Sequence, residues 1–130
     1  MVKFSGKLAL LVAVLLVFSF GMVTNSRADW SGEVSYQEDV YPIIHFRCLS
    51  CHKEGAEGTN QSGLNLETYE GLMKGTKYGP IIVPGNPMIS NLNVMVEGRA
   101  AIRMPHNKRR LNPCDIKILR QWVHQGARNN

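Results

Sequence analysis

The sequence predicts an all-α fold, a small helical domain with long loops, and three observations predict it. Ser35-Tyr36-Gln37-Glu38 is a capping box, and it opens a run in which Tyr36, Val40, Ile43, Ile44 and Leu49 recur at helical spacing. Asn112-Pro113 is a second start signal, followed by the apolar stripe Ile116, Leu119, Trp122 and Val123. Between these two segments no stretch alternates apolar and polar residues in the way that marks a half-buried strand.

The first residues read as an address rather than as part of the domain. Lys3 and Lys7 lie before an almost wholly apolar run, Leu8 to Val23, and Thr24-Asn25-Ser26-Arg27-Ala28 supplies small residues before a cleavage point. This order predicts a signal peptide over 1–28 and an exported domain over 29–130. The apolar run falls short of the ~20 residues that span a bilayer, which favours cleavage over anchoring; membrane association is expected only if the leader is retained. The formal charge of +5 includes Lys3, Lys7 and Arg27, so the remaining domain carries +2. That modest balance gives no reason to expect a nucleic-acid partner.

Within 29–130, Ser35 is the expected N-cap of the first helix, and Pro42 predicts a kink or restart inside it. Lys53 to Gly63 is a loop by composition. Leu64, Leu66, Tyr69 and Leu72 space themselves as a short helix, with Thr68 as N-cap and Gly75 as stop. Gly79-Pro80 and Pro84-Gly85-Asn86-Pro87 bracket Ile81-Ile82-Val83, which reads as extended chain pressed on the core. Met88 to Val96, with Ile89, Leu92, Met95 and Val96 at helical offsets, predicts another helix ended by Gly98. Arg103 to Arg110 is a basic loop, and the last helix runs from Pro113 to a stop at Gly126, with Asp115 favouring its first-turn dipole.

Chemistry concentrates in Cys48-Leu49-Ser50-Cys51-His52. Two cysteines separated by two residues and followed at once by histidine read as the attachment site of c-type haem: on one helical turn both thiols reach vinyl groups, and His52 turns to the iron as proximal ligand. A disulfide, a thioredoxin-like dithiol or half of a zinc site would use the same cysteine spacing. No strand precedes Cys48, and His106, Cys114 and His124, the other zinc donors, do not stand at finger spacing. The reading is therefore one covalently attached haem c, which also gives so small a chain an apolar plate to close its core around.

What such an iron does depends on its other side. The available methionines are Met73, Met88, Met95 and Met104, and the free histidines are His45, His106 and His124. Met73 and Met95 fall on apolar helical faces, where packing explains them. His45 lies one turn before Cys48 on the same helix, and His124 reads as solvated. Met104 stands in a loop directly before a proline that stiffens the backbone, as a weak thioether ligand requires, and is the preferred sixth ligand; His106 in the same loop is its rival. Cys114, a third cysteine, reads as a partly buried thiol at a helix start, with a reactive or intermolecular role as the alternative. Lys108, Arg109 and Arg110 form a cationic patch, either a solvated loop or a docking face for an acidic redox partner.

Cys48 to His52 after a first helix, Met104-Pro105 later and a tryptophan-bearing last helix resemble a class I cytochrome c. More closely, Tyr36-x-x-Asp39-Val40-x-Pro42-Ile43-Ile44, Leu64-x-Leu66-x-Thr68-Tyr69-Glu70-Gly71-Leu72, Val83-Pro84-Gly85-Asn86-Pro87, Ser90-x-Leu92 and Trp122-Val123-x-x-Gly126-Ala127 resemble the planctomycete-type cytochrome c domain. The resemblance implies a cytochrome c-like helical domain wrapped around one haem, with His52 proximal and, by position, Met104 distal; it leaves Cys114 unexplained. The expected function is an exported or periplasmic monohaem one-electron carrier rather than an enzyme. The alternatives are a haem sensor or peroxidase-like protein with an open sixth position, and a redox subunit of a larger complex.

Overall fold

Ser35 caps the first helical turn in a computed structural model that describes residues 32–130. Its Oγ accepts the Glu38 N–H at 3.2 Å, as the capping box predicts, but Asp39 rather than Glu38 reaches back to the Ser35 N–H, at 2.9 Å. The reason lies in the turn that follows. Tyr36–Val40 is a π-helical turn, wider than an α-helical one, and brings the residue four places on to the cap. Pro42 then sits in the first turn of α1 (Tyr41–Arg47), where its missing N–H is harmless, so the restart expected at Pro42 takes the form of a change from π to α register.

The first helix does not run unbroken to the haem motif. Cys48 adopts φ −120° and separates α1 from α2 (Leu49–His52). The N–H groups of Cys51 and His52 both turn back onto the Cys48 carbonyl, at 3.0 and 3.1 Å, so the motif forms a new turn of its own.

Composition misled in the segment that follows. Residues 57–62, expected to be loop, form α3 (Glu57–Ser62). Polar side chains tie this helix locally: Ser62 Oγ donates to the Gly58 carbonyl at 2.6 Å, and Gln61 Nε2 to Glu57 at 3.0 Å. α4 (Tyr69–Lys74) has Thr68 as its N-cap, accepting from the Gly71 N–H at 3.0 Å, and Gly75 as its stop. Only glycine suits that stop, because φ is +80° and a Cβ would meet the Gly79 carbonyl oxygen at 2.5 Å.

Ile81 and Ile82 are buried and Val83 turns outward. The helix expected from Met88 is shorter: α5 spans Asn91–Val96, and Met88 and Ile89 lie outside it, exposed. Ser90 explains the late start. Its hydroxyl is held by the preceding turn, donating to the Asn86 carbonyl at 2.8 Å and accepting from the Val83 N–H at 2.9 Å. α6 (Pro113–His124) opens as expected, with Asn112 Oδ1 accepting the Asp115 N–H at 2.8 Å, a cap worth about 1 kcal/mol. It buries Leu119, Trp122 and Val123, whereas Ile116 is only half-buried. Cys114, expected to be partly buried, is exposed.

No strand occurs among the described residues; Thr76 and Gly79 form an isolated bridge. No helix among them is long and apolar enough to cross a membrane. The signal peptide expected over 1–28 lies outside the described residues.

Both ends of the described chain meet. The Tyr36 ring packs edge-on to Tyr69 at 5.1 Å and lies 5.5 Å from Trp122, while Trp122 Nε1 donates to the Arg128 carbonyl and Tyr69 to that of Ala127, both at 2.8 Å. Aromatic pairs of this kind add about 0.5–1.5 kcal/mol beyond their burial. Asn130 then caps the first turn: its Oδ1 accepts from the Tyr36 N–H at 3.0 Å and its carbonyl from Gln37 at 3.1 Å, satisfying two donors that a helix start leaves free.

The Tyr36 hydroxyl is buried without a hydrogen-bond partner, and burial, with the Tyr41 hydroxyl next in effect, pushes its pKa up to about 12. Between the ordinary value of 10 and about 12 the unfolded chain has lost a proton that the folded chain keeps, so stability falls as pH rises through that window. Tyr36→Phe should therefore be at least as stable as the parent at pH 7, by up to about 1 kcal/mol, and should lose this part of the alkaline decline. Urea melts of both proteins at pH 7 and pH 11 measure the difference.

Candidate haem-binding site

Cys48 and Cys51 are free, half-buried thiols at the two ends of one turn. Burial, partly offset by Arg47, raises the Cys48 pKa to about 11, so at neutral pH it is a thiol rather than the thiolate that a metal ion or a disulfide exchange would use. Neither forms a disulfide, and no cluster of three or more His, Cys, Asp or Glu among the described residues is placed to hold a bare metal ion. His106, Cys114 and His124 are exposed.

His52 has one nitrogen committed. Nδ1 lies 3.3 Å from the Leu64 carbonyl, which only accepts, so the proton resides on Nδ1 and the Nε2 lone pair is free for a metal. Burial lowers the pKa of the ring, with the Leu64 bond opposing, and a neutral imidazole is the form that ligates. The Leu64 carbonyl is itself steadied by the Thr59 hydroxyl at 2.9 Å, and the His52 carbonyl accepts the Leu66 N–H at 2.7 Å. Residues 52–66 thus close into a loop around the ring, and α3 is its far wall. Gly58 of α3 lies so close that a Cβ would stand 2.7 Å from the Cys51 carbonyl oxygen and 3.0 Å from His52 Cε1.

The Met104 segment is brought to the same region by bonds that sequence reading did not anticipate. The Met104 N–H donates to the Met95 carbonyl at the end of α5, at 3.2 Å. Beyond it, Lys108 Nζ donates to the Ser50 hydroxyl inside the motif at 2.8 Å, and Arg47 Nη2 donates to the carbonyls of Arg109 and Arg110 at 2.7 and 3.1 Å. The basic loop is therefore lashed to the motif helix at both Arg47 and Ser50. Met104 is half-buried against the core and Pro105 is buried, whereas His106 is exposed. Met73 and Met95 also pack against or beside the core, and Met88 is exposed with its sulfur 3.5 Å from Arg120.

A haem fits these residues. Two free thiols, an imidazole with its outer nitrogen bare, and the half-buried apolar side chains of Leu49, Met73, Met104, Ile116 and Ile118 packed on the core are the kinds of donor and apolar group that haem requires. Polar atoms are also left over: Arg47 Nε beside Cys48, and both side-chain atoms of Asn93 on α5, are buried without partners. The roles of Gly58, Thr59, Arg47 and Ser50 carried no readable signal, because each acts on a residue made its neighbour only by the fold.

Comparison with known families agrees with the resemblance read from the sequence: residues 48–107 match the family model described as Planctomycete cytochrome C. No curated protein and no solved structure is similar enough to the chain to count as a match.

The tight approach of α3 to His52 has a measurable consequence. Gly58→Ala forces α3 away from the ring and should destabilise the protein by about 1–3 kcal/mol while lowering haem content, as read from melting curves and from haem per polypeptide. Gly32→Ala, where nothing lies within 4 Å, should change neither.

Proposed function

We propose, from the cytochrome c family domain matched over residues 48–107, that this chain is an exported monohaem c-type cytochrome that carries single electrons, with Cys48 and Cys51 holding the haem and His52 and Met104 as axial ligands. The observation that carries the reading is the committed Nδ1 of His52 behind two free thiols. When bound, haem supplies an iron that passes between ferric and ferrous states by one electron.

The chain's own residues do the rest. The Leu64 carbonyl holds the His52 proton on Nδ1 and keeps the ring from rotating, which also makes Nε2 a better donor. Met104 is half-buried against the core in a loop whose partners, Met95 on one side and Arg47 and Ser50 on the other, are fixed elements of the fold. A ligand held by its backbone on both sides remains in place when the charge on the metal changes, so little has to reorganise as an electron passes. His106, two residues on, faces solvent and is the weaker candidate. No group in this reading moves a proton or breaks a substrate bond, and the protein is a carrier rather than an enzyme.

Export belongs to the same proposal, since covalent haem attachment is chemistry of the compartment outside the bacterial inner membrane. The partner is a redox protein with an acidic face. Arg109 and Arg110 are exposed beside the motif helix, and charges so placed speed encounter more than they tighten binding.

Three measurements test this. The mass of the exported protein should equal the chain from residue 29 onward plus one haem that acid-acetone does not extract. The ferrous protein at neutral pH should bind carbon monoxide slowly and incompletely; rapid, complete binding would instead identify an open-site sensor or peroxidase-like protein. Met104→Ala should abolish the weak long-wavelength sulfur-to-iron band of the ferric form, and survival of that band moves the ligand elsewhere.

A further inference from the structure

Met88 is the one exposed methionine among the described residues, open over 55 % of its surface, whereas Met73, Met95 and Met104 are half-buried. Its backbone is nonetheless fixed. Pro87 before it is buried, the Ser90 hydroxyl ties the turn to the Asn86 carbonyl at 2.8 Å, and Arg99 Nη1 donates to the Met88 carbonyl at 3.0 Å. The sulfur is held as well, by Arg120 Nη1 of α6, which donates to it at 3.5 Å.

A thioether is a weak acceptor, and a guanidinium at the surface has water as a better one, so the contact needs a third group that aims the arginine. Glu97 is that group. Its side chain is only 8 % exposed, and its carboxylate takes Arg120 Nε at 2.9 Å and Nη2 at 2.7 Å while also pairing with Arg99. One carboxylate thus turns two arginines onto Met88, the first to its carbonyl and the second to its sulfur. A charged donor aimed in advance suits a sulfoxide oxygen, a strong acceptor, better than it suits the sulfur now in place.

We propose that Met88 is a reversible oxidation site that takes one oxygen atom from hydrogen peroxide, and that Arg120 holds the resulting sulfoxide. A sulfur lone pair attacks one peroxide oxygen, so that a sulfur–oxygen bond forms as the oxygen–oxygen bond breaks. Sulfur gives up two electrons, and the departing hydroxide takes the hydrogen of the transferred oxygen and leaves as water. One lone pair of the sulfur is engaged by Arg120, which leaves the other to the peroxide. A single sulfoxide epimer is the consequence. Rotation about the bond between Cγ and the sulfur then brings the new oxygen to Nη1, and Glu97 keeps Nε and Nη2 throughout.

The test treats the haem-loaded protein with less than one equivalent of hydrogen peroxide and maps its peptides by mass. Met88 should gain oxygen about tenfold faster than Met73, Met95 or Met104. Of the two methionine sulfoxide reductases, each specific for one epimer, one should restore nearly all of the oxidised Met88 and the other nearly none. In urea the oxidised parent should unfold with a constant smaller by about threefold, the gain from a stronger acceptor on a charged donor. Arg120→Lys keeps a charge beside Glu97 but offers one nitrogen in place of three, and it should give both epimers and no such gain. Oxidation of Met88 at the pace of the half-buried methionines, or an equal mixture of epimers in the parent, overturns the proposal. An Arg120→Lys protein that matches the parent in epimer and in stability gain removes Arg120 from it. If that variant does not accumulate, the epimer ratio and the urea melt of the oxidised parent decide alone: one epimer with a gain supports the proposal, and a loss of stability on oxidation overturns it.

Discussion

The bond between His52 Nδ1 and the Leu64 carbonyl is the constraint on which the rest of this molecule depends. A histidine with both nitrogens free would rotate and titrate, and would present either tautomer to a metal. Here one nitrogen is used, the carbonyl it uses is held by Thr59, and the loop that carries both is closed by the bond from Leu66 back to the His52 carbonyl. Burial keeps the ring neutral. The result is one directed lone pair, fixed by backbone that cannot move without undoing two other bonds.

The other elements can be read as supports for that geometry. α3 backs onto the ring through Gly58, the one residue type that allows the approach. Arg47 and Ser50, immediately before and inside the motif, hold the basic loop that follows Met104. At the opposite end, Asn130 caps the first turn and the aromatic group of Tyr36, Tyr69 and Trp122 closes the core between the first and last helices. The side chain of Asn93 and Nε of Arg47 are buried without a hydrogen-bond partner, which is uncommon among buried polar groups.

Most of the helices were legible because their signals are local. Ser35, Thr68 and Asn112 are caps whose oxygens reach N–H groups three residues on, and Gly75 occupies a backbone conformation that other residues avoid. The misreadings share one cause, which is competition between local composition and contacts. Glu57 to Ser62 has the composition of a loop and becomes a helix because its polar side chains bond within it and one face lies against His52. Met88 and Ile89 have helical spacing and stay outside α5 because the Ser90 hydroxyl is taken by the preceding turn. Asp39 replaces Glu38 at the first cap because the turn is of π width.

By itself the sequence determined the all-helical class, the helix caps and the haem-attachment motif, since each is written in residues that lie within one or two turns of one another. The tertiary structure alone decided which nitrogen of His52 is committed, that α3 exists and abuts the ring, that the Met104 segment is tied to Met95 and its loop to the motif, and that Asn93 is left unpartnered. Those facts depend on contacts between residues up to 63 positions apart, the separation between Arg47 and Arg110. Chain closure over such distances is set by the packing of the whole core and leaves no periodic or neighbouring signal in the residues that meet.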